Sequence, residues 1–157
     1  MALTFRLVSS VDYLPIKKLA LAAFGPITWA RRVDKKFGDL NGKDWKERWE
    51  LRLGHIFATQ VVLLAEEGGE IVGFTSGTLD LECKLAYIDL IAIDRKSQGQ
   101  GFGRKLLRAM LKLMSDRGAE YAHLDCLVEN ETGNSLYHSE GFEEVAQHIR
   151  WFTKIRC

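Results

Sequence analysis

The sequence predicts an α/β protein, or an α+β one on a mixed sheet. Short segments alternate apolar and polar residues at period two, and others repeat apolar residues at helical spacing. A strand, helix, strand crossover from Leu85 to Val128 then requires two strands that are parallel or near neighbours. The predicted order is β-α-α-β-β-β-α-β-α-β.

Thr4 to Val8 alternates at period two and reads as the first strand, with Ser9, Ser10 and Asp12 as helix-start residues behind it. A helix follows through Leu14, Ile16, Leu19 and Phe24. Gly25 to Gly42 is charge-rich and irregular, a loop or broken helix. Asp44 followed by Glu47 has the spacing of a capping box, and Trp45, Trp49, Leu53 and Ile56 carry a second helix to about Ala58. Val61 to Ala65 and Glu70 to about Asp80, joined by Glu66-Glu67-Gly68-Gly69, form a hairpin. A strand from about Leu85 to Ile93 leads through a glycine-rich loop to a helix from Gly103 to about Arg117, stopped by Gly118. Tyr121 to Val128 reads as a strand, Thr132 to Ser139 as a short helix, and Phe142 onward as one or two closing strands.

The 157 residues are expected to form a single domain, 1–157, with 46% apolar and 27% charged residues, as in an ordinary globular protein. A net charge of +1 supplies no footprint for nucleic acid. No apolar run approaches the ~20 residues of a membrane span, and the first residues lack the apolar core of a signal peptide. A cytoplasmic protein is the expectation. Cys83, Cys126 and Cys157 are three, with no spacing suited to metal, and read as reduced thiols. Cys126 falls in an apolar strand pattern, where a small buried hydrophobe is the commoner explanation than a nucleophile.

Gly99, Gly101 and Gly103 follow a strand and open a helix, so successive N–H groups can converge without side-chain obstruction. That geometry, with the partial positive charge of the helix N-terminus, suits a phosphate or pyrophosphate. Arg104 is misplaced for the helix dipole unless an anion lies beside it. A Walker loop would need Lys and then Ser or Thr after Gly103, where Arg104 and Lys105 stand, and a dinucleotide fingerprint starting at Gly99 would need glycine at 104. The plain alternative is a turn that only reverses the chain.

The run Gln98-Gly99-Gln100-Gly101-Phe102-Gly103-Arg104, after Ile91-Ala92-Ile93-Asp94, resembles the coenzyme A loop of the GNAT acyltransferases, Q/R-x-x-G-x-G/A. A second block, Asn130 to Phe142, resembles the family's N-x-x-A-x-x-L-Y-x-x-x-G-F and departs from it at Gly133, where alanine is usual. The resemblance covers about Leu85 to Phe142. It implies a mixed, mostly antiparallel sheet of six to seven strands flanked by about four helices. It also implies an N-acetyltransferase that uses acetyl-CoA as co-substrate and no metal.

On that resemblance, Ile91, Ala92 and Ile93 offer backbone groups to the pantetheine arm and the acyl carbonyl, and residues 98–104 cradle the pyrophosphate. Asn130 hydrogen-bonds the pantetheine, and Tyr137 protonates the leaving thiolate. Two carboxylates stand as bases for a primary amine of a small molecule, peptide or protein. Asp125 lies on the strand leading into Asn130, and Asp89 shares a strand face with Tyr87 by period-two alternation. Each has a structural alternative as a hydrogen-bonded Asp at a strand end. His123 reads as structural. Arg31, Arg32, Lys35 and Lys36, near Trp29, Trp45 and Trp49, read more readily as a solvated face than as an acceptor pocket for an acidic or aromatic substrate. Edge strands at the C-terminal end offer a surface for a homodimer. The alternative function is a non-catalytic acyl-CoA-binding sensing or scaffolding module of the same fold.

Overall fold

A computed structural model describes residues 2–156; Cys157 lies outside the described residues. Five strands, β1 (Leu3–Leu7), β2 (Val61–Glu67), β3 (Glu70–Asp80), β4 (Leu85–Ile93) and β5 (Tyr121–His123), form one sheet in the order β1-β2-β3-β4-β5. The first three pairings are antiparallel and the β4–β5 pairing is parallel. Five helices, α1 (Tyr13–Phe24), α2 (Ala30–Phe37), α3 (Trp45–Thr59), α4 (Phe102–Asp116) and α5 (Glu131–Ser139), complete the chain.

One expectation needs correction. The sheet has five strands among the described residues instead of six to seven, because β5 ends at His123 and no residue from 142 to 156 enters a strand. The closing segment keeps apolar side chains, with Val145 94% and Trp151 85% exposed, and pairs with neither β5 nor the open edge of β4. The irregular stretch after Gly25 is a broken helix whose ordered part is α2.

The sheet is covered on both faces. Ile16 and Ala20 of α1 and Trp49, Leu53 and Ile56 of α3 pack on one face, while Phe102, Leu106, Met110 and Met114 of α4 pack on the other. Local signals set the helix starts. The Asp12 carboxylate accepts from Ser9 N at 2.7 Å and pairs with Arg6 at 2.8 Å, tying β1 to the start of α1. Asp44 caps α3 by accepting from Glu47 N at 2.9 Å. Asp34 of α2 accepts from Trp45 N at 2.7 Å and from Arg48 at 2.6 Å, so the broken helix is held to the start of α3.

β4 contains a bulge. Ser76 pairs with Leu90 and Gly77 with Ile88, which leaves Asp89 as the extra residue. The bulge exchanges the faces: Ala86 and Ile88 pack toward α4, whereas Leu90 and Ala92 pack toward α1 and α3. Gly77 stands opposite this point, where a Cβ would collide with the Tyr87 carbonyl oxygen.

Candidate active site

β4 and β5 pair only from Leu85 to Tyr87 against Tyr121 to His123. Beyond that point the two chains diverge, and the β5-facing edge of β4 runs on from Ile88 to Ile93 with no strand beside it. Ile91, Ala92 and Ile93 lie on this open edge, with their other side paired to β3. Gln98 Nε2 donates to Ile93 O at 3.1 Å, closing the following loop onto the strand end.

The loop itself is an array of backbone donors. Gly99 and Gly101 have φ of 79° and 75°, a region that a side chain would strain, and Gly101 is the N-cap of α4. Among the described residues, the N–H groups of Gly99, Gln100, Gly101, Phe102, Gly103 and Arg104 make no hydrogen bond to the chain; the first ladder bond of α4 runs from Lys105 N to Gly101 O at 3.2 Å. An anion meets these donors and the positive helix end together, so the residues present fit a pyrophosphate. Phe102 is buried and anchors the loop to the core.

Arg104 is placed otherwise than the sequence suggests. Its guanidinium donates to Glu140, whose other carboxylate oxygen accepts from Arg108 Nε at 2.7 Å. The Glu140 side chain is 8% exposed, and the two arginines hold its carboxyl below the usual carboxylate range. This clamp fastens α5 to α4. A Cβ on Gly103 would touch Ile93 and Leu136, each at 3.8 Å, so strand end, loop and α5 meet there.

On α5, Asn130 is the N-cap, its Oδ1 accepting from Gly133 N at 3.1 Å, and the side-chain NH2 makes no hydrogen bond. The Tyr137 hydroxyl likewise has no partner among the described residues, and burial raises it above the ordinary tyrosine range, with Cys126 adding a smaller push. Burial also pushes the Cys126 thiol up, in keeping with a small hydrophobe. The departure at Gly133 has a steric cause: a Cβ there would lie 2.8 Å from Asn130 Nδ2 and 3.0 Å from Cys126 Sγ.

The two carboxylates converge on Tyr87. The Tyr87 hydroxyl donates to Asp125 Oδ2 at 3.4 Å and its ring packs on His123 at 4.9 Å. Burial, then the charges of Asp89 and Asp125, raise the hydroxyl above its ordinary value. Asp89 is committed to other partners, accepting from Arg52 Nη2 at 2.6 Å and from Gln60 Nε2 at 2.9 Å. Asp125 lies past the end of β5, exposed, in place of the apolar strand interior expected for it. Tyr87 was legible only as a neighbour of Asp89; Arg52, Gln60 and Glu140 carried no sequence signal. Arg31, Arg32, Lys35 and Lys36 are exposed, with Arg32 paired to Glu129 at 3.0 Å, which is the solvated face.

A split mixed sheet with a main-chain anion cradle at its open end defines a class of acyl-carrier-binding folds, and comparison with known proteins gives the family. Residues 27–142 match the acetyltransferase (GNAT) family model, and the chain belongs to that family. It is similar to N-alpha-acetyltransferase 30 of Schizosaccharomyces pombe, 36% identical over 66 residues, covering 42% of this chain and 44% of that protein. It is also similar to N-alpha-acetyltransferase RimI of Mycobacterium tuberculosis, 32% identical over 90 residues, covering 56% and 55%. The chain spans about half the length of these relatives. In fold it is similar to AAC(6')-Iy, solved with a CoA-containing bisubstrate analog, with a TM-score of 0.71 at 15% identity and full coverage of both chains. Among the described residues, no helix is long and apolar enough to cross a membrane.

Proposed function

We propose that this chain, acting as one domain, transfers an acetyl group from acetyl-CoA to a primary amine in a ternary complex. Six N–H groups without chain partners, at the open end of a split sheet and beside a tyrosine-bearing helix, are the observation that supports this best. Residues 98–104 hold the pyrophosphate by main-chain donation. The edge of β4 from Ile91 to Ile93 runs alongside the pantetheine arm, and a backbone N–H there polarises the thioester carbonyl. One such donor contributes about 2.7–4 kcal/mol to an acyl-transfer transition state.

Asp125 takes the proton of the incoming ammonium, since its carboxylate receives a single weak hydrogen bond, from Tyr87. Asp89, neutralised by Arg52 and held by Gln60, orients the cluster instead. The amine lone pair then forms the C–N bond as the C–S bond breaks. Tyr137 gives its proton to the departing sulfur, and the nitrogen, cationic after the attack, sheds its surplus proton to solvent, from which the Tyr137 oxygen is reprotonated. Its raised pKa keeps the hydroxyl protonated and makes it a weak acid, so the transfer comes late, once the sulfur carries most of its charge.

Release of free thiol from acetyl-CoA, followed with a panel of amines and peptides, tests the reading. Acceptor-dependent release that falls in Tyr137→Phe and Asp125→Asn supports it. Tight acetyl-CoA binding without release on any acceptor would point to a sensing module, and absence of binding would end the proposal.

A further inference from the structure

Between α2 and α3 lies a cavity of about 160 Å³, walled by the rings of Trp29, Trp49 and Phe152, by Val33, and by the side chains of Arg48 and Arg52. Most of its polar groups are already partnered, although Nε and Nη1 of Arg52 make no hydrogen bond among the described residues. The Trp49 indole N–H donates to Thr28 Oγ1 at 3.0 Å. Arg48 donates to Asp34 at 2.6 Å and to the carbonyls of Lys43 and Ala30 at 3.0 and 3.1 Å. Arg52 donates to Asp89 at 2.6 Å and lies over the Trp49 ring at 4.8 Å. An anionic guest would compete with the Asp34 and Asp89 carboxylates already seated on Arg48 and Arg52, and a neutral polar one would find few free partners for the water it lost. A flat apolar guest faces neither cost, and an apolar cavity of about 150 Å³ is known to hold one benzene ring.

Arg52 joins this cavity to the carboxylate cluster, because the same guanidinium that stacks on Trp49 contacts Asp89, and Asp89 adjoins Tyr87 and Asp125. A molecule with its ring in the cavity would place a short arm toward this cluster, where Asp89 is already paired with Arg52 and Asp125 is the carboxylate left to favour a cationic end. We propose that the acceptor is a primary amine carrying an aromatic ring on a short alkyl arm, and that Trp29 and Phe152 select it. The proposal rests on the transferase reading. The same chemistry occurs in a free arylalkylamine and at a peptide N-terminus that begins with an aromatic residue.

The test compares 2-phenylethylamine with propylamine, and short peptides beginning with phenylalanine or with alanine, in the wild type, Trp29→Ala and Phe152→Ala. Phe152 stands on the exposed closing segment, so its truncation leaves both packed faces of the sheet intact. Taking the ratio of kcat/KM for the aromatic and aliphatic member of each pair, and comparing it between wild type and variants, cancels the different basicity of the amines. We expect the ratio to fall about tenfold in either variant, the scale on which apolar pockets discriminate. The pair that shows the fall assigns the source. Independently of turnover, 2-phenylethylamine should quench tryptophan fluorescence saturably in the wild type and not in Phe152→Ala. A ratio unchanged in both variants, with no saturable quench, overturns the cavity's role while release on any amine keeps the transferase. Failure to bind acetyl-CoA, with no release on any acceptor, overturns both.

Discussion

The donor end of this site is built from main chain, and the acceptor end from side chains. Six consecutive N–H groups from Gly99 to Arg104 stand without chain partners among the described residues, and side chains enter this cradle through the missing Cβ at Gly99 and Gly101 and through Gln98 and Phe102, which fasten the loop. The proposed acceptor side draws on Trp29, Trp49, Arg52, Tyr87, Asp89, Asp125 and Phe152, from five separate stretches of chain. A main-chain cradle accepts one ligand class and is damaged by shape. A side-chain surface can be altered residue by residue, and with it the specificity.

Substitutions at the two ends should therefore fail differently. Gly101→Val forces a β-branched residue into φ of 75°, and acetyl-CoA affinity should drop by about 100-fold, read by calorimetry on a protein whose thermal melt shows it folded. An undiminished affinity would break the main-chain account. Tyr137→Phe should lower kcat by about 100-fold with acetyl-CoA affinity held within about twofold. Because burial keeps that hydroxyl protonated past the ordinary tyrosine range, the wild-type kcat should show no falling limb from it below about pH 10.

Asp125→Asn should reduce kcat/KM by about tenfold, the effect shrinking for amines of lower pKa, which need less help to lose a proton. Asp89→Asn is the control that sharpens the assignment: a larger loss there, with the same dependence on amine basicity, would exchange the roles of base and positioning group. The smallest effect concerns Gly133. Alanine gains about 1 kcal/mol in helix propensity but meets Cys126 Sγ and Asn130 Nδ2, so Gly133→Ala alone should bring little or no stabilisation. Combined with Cys126→Ala it should stabilise by at least about 0.5 kcal/mol more than the separate changes predict, measured by urea denaturation. Strict additivity would mean that the thiol does not occupy the missing methyl's place.

The same division explains what the sequence could reveal. The loop was legible because its requirement is local: glycine at 99 and 101 is demanded by backbone angles that adjacent residues create. So was the start of α3, fixed by Asp44 three residues before the N–H it accepts from, whereas α5 was expected from Thr132 and its cap, Asn130, went unread. The acceptor cluster was not, since Arg52 meets Asp89 across 37 positions and Tyr87 meets Asp125 across 38. Arg104 was assigned to the ligand alone because nothing nearby announced Glu140, 36 positions on. The closing strands were overread for a related reason. The alternation of Val145, Ile149, Trp151 and Ile155 with polar residues states what a strand would bury, whereas pairing depends on an edge that the rest of the molecule must supply.

The bulge at Asp89 gives β4 a residue to spare. Substituting this residue changes a charge, but removing it would bring Ile88 and Leu90 together opposite Gly77 and Ser76, straightening the strand while Leu90 and Ala92 still face α1 and α3 and Ile91 and Ile93 still lie on the α4 side. Position 89 thus contributes curvature and chemistry but not phase, and a deletion scan along β4, read by thermal melt, should find the fold least disturbed at this residue.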